Sequence, residues 1–441
     1  MEFWVLPITV LFGGLALGLL FGLPMGFTLG CSAMFAGVVY QGTSIFPVVV
    51  RNTYGPMLYL VMIAVPLFIF MAAVLERSGI ADDLFSALHQ WFGPVNGGLA
   101  IAVVVICAII AAMSGVSTAG VVTMGLVALP IMLKKGYHKT VAIGPILAGG
   151  VLGILIPPSV SFIIYGMLTH TSIGRLFAGG IIPGTILATL YIIYIGIRCW
   201  RKPADGPALP PEERVSFRRR IVLSRGLVLP ILLIFTVLGS IFAGIASPTE
   251  AAAVGAFGAI ICAAVRRRLT WQLLRDAAMR TATVNGMIMW ILFGAFIFAA
   301  TFIQTGGPTV VKDFVMGLEV APIVVILIMQ FSYIILGCIV DEITILFITI
   351  PIYMPILVGL GYDPVWFGVL FIVNMQMAYL TPPFGYTLFF MKGIAPPEVT
   401  IVDIYRSIIP FIGLQWIGLL LVLFFPQLAL WLPSTMITKA A

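Results

Sequence analysis

Long apolar runs, on the scale of the about 20 residues that cross a bilayer, recur from one end of the chain to the other, for example at 56–75, 99–113, 227–246 and 407–431. Two such runs carry paired prolines, GILIPPSVSFIIYG at 153–166 and YLTPPFGYTLFF at 379–390. A proline inside a helix removes a backbone donor and clashes with the turn before it, costing about 3 kcal/mol. Broken helices are therefore expected over 140–168 and 364–391. The remaining pattern predicts helices over 3–21, 25–41, 56–75 and 173–199, then over 226–246, 250–265, 283–304 and 407–432. Polar amphipathic pieces are expected at 76–91 and 306–319. Two further apolar stretches, 99–133 and 321–357, hold small polar tips, MSGVSTAG and GCIVDEIT.

Composition fixes the class. The 441 residues are 61% hydrophobic and only 9% charged, too little polar surface for a water-soluble monomer of this length. The expected class is an all-α polytopic membrane protein in the lipid bilayer. The formal net charge of +7 does not imply nucleic acid, because Lys and Arg collect in the cytoplasmic loops of membrane proteins. Clusters lie at 134–139, 198–225, 266–280 and 392–406. The first apolar run has no basic residue before it and no cleavage site, so it reads as a permanent helix. Five cysteines and three histidines are scattered without metal-ligand spacing. No Ser/His/Asp set, metalloprotease motif or phosphate loop is legible, so an enzyme and ATP-driven transport are both disfavoured and no cofactor is expected.

The chain reads as two copies of one unit. A shift of 225 places Pro157-Pro158 on Pro382-Pro383, Pro130 on Pro355, Gly136 on Gly361 and Tyr137 on Tyr362. GLPMG at 22–26 meets GIASPTE at 244–250 with a shift of 224. The first repeat is 1–200, a polar linker occupies 201–225, and the second repeat is 226–441. KKGYHK at 134–139 is basic, whereas its mate GLGYDP at 359–364 carries an Asp and no Lys or Arg. The positive-inside rule puts them on opposite faces, so the repeats are inverted, as in many secondary transporters. Then 99–133 and 321–357 start and end on one face and form re-entrant hairpins, both termini are periplasmic, and the linker is cytoplasmic. On this path 19 of 23 Lys and Arg are cytoplasmic.

The two tips should meet near the midplane, each beside a broken helix. Irregular backbone at that depth is tolerated where it lines a cavity, and its free carbonyls suit a small cation. Half-helix N-termini suit a carboxylate. Ser114, Ser117, Thr118, Thr344 and Thr381 are the hydroxyls in reach. Small and hydroxyl residues equally let membrane helices pack closely, and one Pro-Pro alone is equally a kink. Asp341 and Glu342 are ionisable groups inside an apolar stretch, which by default marks a function. Adjacent helix positions point apart, so one of them is expected to face the site, and Asp341 is favoured; the alternative is a wet vestibule for Glu342 or both. Glu250 reads as half of a capping box with Ser247. Arg175 steers anions or anchors at the interface. Trp290, Trp366, Trp416 and Trp431 read as interfacial or lipid-facing.

These motifs, with SIGRLFAGGIIPG at 172–184 and GIASPTEAAAVGAFGA at 244–259, resemble the large membrane subunit of tripartite ATP-independent periplasmic (TRAP) transporters over essentially the whole chain. The resemblance implies an elevator-type transporter that imports a small organic acid across the bacterial inner membrane, driven by Na⁺. It implies two partners, a periplasmic substrate-binding protein and a small four-helix membrane subunit, the latter expected as a separate chain. Carried onto matching positions, it implies one Na⁺ site at Ser114, Gly115, Ser117, Gly153 and Pro157. A second is implied at Gly337, Asp341, Thr344, Ala378, Thr381 and Pro382. The substrate would lie between the tips, near Ser117, Thr118, Pro158, Ser159, Asp341 and Pro383. Glu342 departs from the family pattern, where a proline or small residue is common. The competing readings are a stand-alone ion-coupled divalent-anion carrier and a non-transporting membrane scaffold.

Overall fold

The computed structural model describes residues 5–317, 320–382 and 385–436, and every regular element among them is helical. The first half runs through α1 (Val5–Leu20), α2 (Met25–Gln41), α3 (Ile45–Met57), α4 (Ala64–Arg77) and α5 (Ile80–Phe92). It continues with α6 (Gly98–Ser114), α7 (Ser117–Lys134), α8 (Lys139–Val151), α9 (Val160–Thr169) and α10 (Ile173–Arg201). The second half comprises α11 (Phe217–Phe242), α12 (Pro248–Val265), α13 (Trp271–Gln304), α14 (Gly307–Met316) and α15 (Pro322–Gly337). It ends with α16 (Glu342–Gly359), α17 (Pro364–Leu380), α18 (Tyr386–Ile394), α19 (Ile401–Phe424) and α20 (Gln427–Thr435). Nine helical segments among the described residues are long and apolar enough to cross a membrane. The protein is an all-α, polytopic membrane protein.

Helix starts keep the spacing of the sequence repeat. α7 and α16 begin at Ser117 and Glu342, and α8 and α17 at Lys139 and Pro364, each pair 225 residues apart. The turns before α8 and α17 are also alike, with Gly136 at φ 79° and Gly361 at φ 78°. Both conformations suit glycine, which has no Cβ to clash. The α6–α7 and α15–α16 stretches are each two helices joined by a short non-helical tip, at 115–116 and 338–341. Both segments that carry paired prolines are interrupted. α8 passes through a 3₁₀ turn at Leu152–Ile154 before α9, and α17 stops at Leu380 before α18.

Two groups of helices form the core. α2, α4, α12 and α13 pack on one another, with α1 and α11 at their edges. α6 to α10 pack with α15 and α17 to α20. α16 lies against α13 of the first group and α9 of the second.

Several expectations are corrected. α13 begins at Trp271, not 283, because Thr270 caps it by accepting from the Leu273 N–H at 3.1 Å. The charges that suggested a loop are paired across to α4, Arg280 with Glu76 at 2.5 Å and Asp276 with Arg77 at 2.7 Å. The helix expected at 56–75 is instead the end of α3, a bend at Leu58 and Tyr59, a 3₁₀ turn and α4. The linker gives way to α11 at Phe217, so Arg218, Arg219 and Arg220 are helical. The last apolar run is two helices, since the chain leaves α19 at Phe425 and Pro426 precedes α20. Trp366 is not lipid-facing: it is 1% exposed and donates to the Val422 carbonyl at 2.8 Å. Trp290, Trp416 and Trp431 are exposed on the surface. Ser247 and Glu250 form the expected capping box at the start of α12.

Candidate functional site

The first tip and the first helix break interlock backbone to backbone. Gly115 sits at φ 64°, and a methyl group there would come within 2.4 Å of the Pro158 carbonyl oxygen. A methyl on Gly153 would come within 2.7 Å of the Val116 carbonyl oxygen. At the second tip the approach is to a side chain: Gly337, at the end of α15, faces Ala378 so closely that a Cβ would lie 2.3 Å from the Ala378 Cβ. The pairings expected from sequence, 114–117 with 153–157 and 337–344 with 378–382, are therefore adjacent in space. The repeats also cross-connect: α7 packs on α18 and α9 on α16.

A cavity of about 500 Å³ opens beside both tips. Ser114, Gly115, Ser117 and Thr118 line it from the first, and Val340, Asp341 and Glu342 from the second. Val160 and Ser161 of α9, Tyr379 of α17 and Tyr386 of α18 complete the side formed by the broken helices. Glu76 of α4 and Arg280 of α13 stand on the other wall.

The two tips differ in how their second helix starts. Val116 is the N-cap of α7 and brings no side-chain acceptor, so the first N–H groups of that helix have no side-chain cap. α16 is capped by Asp341, whose carboxylate accepts from the Thr344 N–H at 3.2 Å and the Thr344 hydroxyl at 2.7 Å. Asp341 thus sits at the positive end of its own helix dipole, a favourable place for an acid. Glu342 is 8% exposed, and its Oε1 accepts from Ser161 Oγ at 3.2 Å. The expectation that only one of the two acids faces the site is corrected: both line the cavity.

The other sequence candidates fall as follows. Ser159 is fully buried and donates to the Ile154 carbonyl at 2.6 Å, closing the break itself and not lining the cavity. Pro157 and Pro158 lie in that break. Thr344 spends its hydroxyl on Asp341, and Thr381 donates to the Met377 carbonyl at 2.7 Å as the C-cap of α17. Pro382 lies in the second break, and Pro383 falls outside the described residues. Arg175 pairs with Asp363 at 3.4 Å, away from the cavity. Sequence reasoning missed Glu76, Ser161, Arg280, Tyr379 and Tyr386. Arg280 looked like loop charge, and its sole signal was the helical spacing of Asp276 and Arg280 opposite Glu76 and Arg77. No cluster of three or more His, Cys, Asp or Glu able to hold a metal occurs among the described residues.

Comparison with known proteins matches residues 12–428 to the family described as "Tripartite ATP-independent periplasmic transporter, DctM component". The chain is 32% identical to a C4-dicarboxylate TRAP transporter large permease of Pseudomonas aeruginosa, over 85% of this chain and 86% of that protein. It is 30% identical to an isethionate TRAP transporter permease named DctMQ of Oleidesulfovibrio alaskensis, covering 96% of this chain but only 66% of that longer relative. In three dimensions it resembles the YdaH transporter of Alcanivorax borkumensis, with a TM-score of 0.61 at 18% identity over 88% of this chain and 89% of that one. With this match along nearly its whole length, the chain belongs to the DctM-component family of tripartite ATP-independent periplasmic transporters.

Proposed function

We propose that this chain is the translocating subunit of a Na⁺-coupled importer of a small organic acid in the bacterial inner membrane. A periplasmic binding protein delivers the solute and a small membrane subunit braces the chain. The supporting observation is the cavity, where both tips and both broken helices converge beside the uncapped start of α7. In this reading the tip-and-break pairs at Ser114 to Ser117 with Gly153 to Pro157, and at Gly337 to Thr344 with Ala378 to Pro382, each hold one Na⁺ by backbone and hydroxyl oxygens. The free N–H groups of α7 and the Arg280 guanidinium offer the acid group its donors. The two halves act as inverted repeats, and the tip-and-break body moves against α13 as an elevator. The relatives' names, C4-dicarboxylate and isethionate, agree with an acidic solute and leave its identity open.

Uptake into proteoliposomes holding this chain and its membrane partner, with the cognate binding protein outside, tests the reading. A ligand screen on the binding protein supplies the solute. Uptake should follow the inward Na⁺ gradient, and Ser117→Ala and Thr381→Ala should each raise the Na⁺ concentration needed. Uptake indifferent to Na⁺ would overturn the coupling, and Na⁺-driven uptake left intact by either substitution would overturn the site assignment. Uptake without the binding protein would favour a stand-alone carrier.

A further inference from the structure

The charges lining the cavity are not those of a site for a simple anion. On one wall Arg280 is tied to Glu76 at 2.5 Å, which neutralises most of its charge while leaving guanidinium donors beyond the one Glu76 accepts. On the other wall stand two adjacent carboxylates. Asp341 is offset by its helix N-terminus, but Glu342 is more than nine-tenths buried, and the side chain that donates to its carboxylate is a neutral hydroxyl, Ser161 Oγ. A buried carboxylate without a counter-charge is costly and is relieved either by a proton or by a cation, and a cationic solute group is one complement that would keep it charged.

The surroundings indicate which kind of cation. Tyr379 and Tyr386 line the cavity with their rings 5.6 Å apart between centroids and 37° between planes. Tyr386 lines the same cavity as Asp341 and Glu342. Carboxylate oxygens beside tyrosine faces form a receptor for an organic ammonium, combining charge pairing with the attraction of a cation to an aromatic face. A bare Na⁺ gains more from a close shell of oxygens than from rings. The cavity therefore has two poles: donors at Arg280 and the start of α7, and acceptors with aromatic rings at Asp341, Glu342, Tyr379 and Tyr386.

We propose that the solute is zwitterionic, a small acid that also carries an amino or quaternary ammonium group, with its nitrogen at the Glu342 pole and its acid group toward Arg280. The proposal rests on the importer reading above and names its substrate class. Glu342 is then the specificity-determining residue, the one whose charge makes the ammonium group a requirement.

The test uses the full chain in lipid nanodiscs, with thermal unfolding followed in Na⁺ and in K⁺. The probes are 4-aminobutyrate and glycine betaine against succinate and butyrate, at matched millimolar concentrations. The two zwitterions should raise Tm in Na⁺ while succinate and butyrate do not. Glu342→Gln should weaken the apparent affinity for the zwitterions by roughly tenfold or more yet keep the Na⁺-dependent shift that marks a folded site. Should that variant lose the Na⁺ shift, Tyr386→Leu, which keeps both carboxylates, carries the same test. The proposal is overturned if succinate stabilises as well as the zwitterions, if neither class stabilises, or if Glu342→Gln binds zwitterions like the parent. A variant that alters only the pH dependence of binding would make Glu342 a proton carrier and also overturn it. Absence of any Na⁺ shift in the parent chain would count against the importer reading itself.

Discussion

Gly115 makes the tightest approach to backbone at the two tips, left-handed at φ 64° and facing the Pro158 carbonyl oxygen. Gly115→Ala adds the left-handed penalty of about 1–2 kcal/mol to a contact with backbone that has nowhere to go. The expected outcome is a lower Tm and an apparent Na⁺ affinity that falls far more than for Ser114→Ala, both measurable by thermal unfolding and Na⁺ titration of uptake. Asp341 allows capping and charge to be separated. Asp341→Asn keeps an acceptor for the Thr344 N–H and should leave Tm nearly unchanged, whereas Asp341→Ala should cost about 1 kcal/mol. If uptake fails in the Asn variant while Tm holds, the charge itself is required. At this scale sequence reasoning named Ser114, Gly115, Ser117, Thr118 and Asp341, which line the cavity, because two polar tips beside two proline breaks recur at one spacing, although each hydroxyl alone is equally a packing residue. It ranked Glu342 below Asp341 because helical phase alone does not show that a tip leaves two adjacent side chains beside the same cavity.

The linker shows how much an element can hide behind a disorder-like composition. Rich in proline and charge, it is nevertheless held down: the Gly206 carbonyl accepts from the Gly97 N–H at 2.8 Å, the Leu209 N–H donates to the Gly93 carbonyl at 2.7 Å, and the Asp205 carbonyl accepts from the His138 N–H at 3.0 Å. Leu209 is 1% exposed and Asp205 pairs with Arg198 at 3.0 Å. The strap therefore spans the ends of α5, α7 and α10. Leu209→Ala, a buried leucine truncation of the kind that costs about 2–5 kcal/mol, should release it and speed proteolytic cutting between 201 and 216 without unfolding the helices. His89 on α5, stacked on Phe85 with centroids 5.7 Å apart, is held below the usual imidazole range by burial first and by Lys135 second, opposed by Glu213. A histidine lowered by folding contributes its full stability above its unfolded value of about 6.5 and loses it as pH falls toward the folded value. Cutting of the strap should thus quicken as pH drops below that point, and His89→Gln should flatten the profile.

For the molecule as a whole, the proposed inversion of the repeats makes a direct prediction about sidedness. In a background with the native cysteines replaced, single cysteines at Lys134 and Gly359 should react with a membrane-impermeant maleimide from opposite faces; labelling from the same face would refute the inversion. Movement of the tip-and-break body is tested at the boundary where Phe347 of α16 meets Phe296 of α13, ring centroids 6.0 Å apart. A cross-link between cysteines at those two positions should stop uptake, while one between Tyr333 and Phe371, whose rings lie 4.8 Å apart on α15 and α17, should leave it largely intact. The sequence by itself determined the membrane class, the helical content, the repeat spacing and the two broken helices, because apolar length, proline chemistry and glycine turns act locally and leave a periodic trace. Tertiary structure alone decided that Arg280 belongs to a helix facing the cavity, that Ser159 closes a break while Ser161 reaches Glu342, and that two tyrosines stand beside the acids. The Arg280–Glu76 and Ser161–Glu342 contacts join residues 204 and 181 positions apart, so they depend on which helix faces lie against one another, and no local preference encodes that.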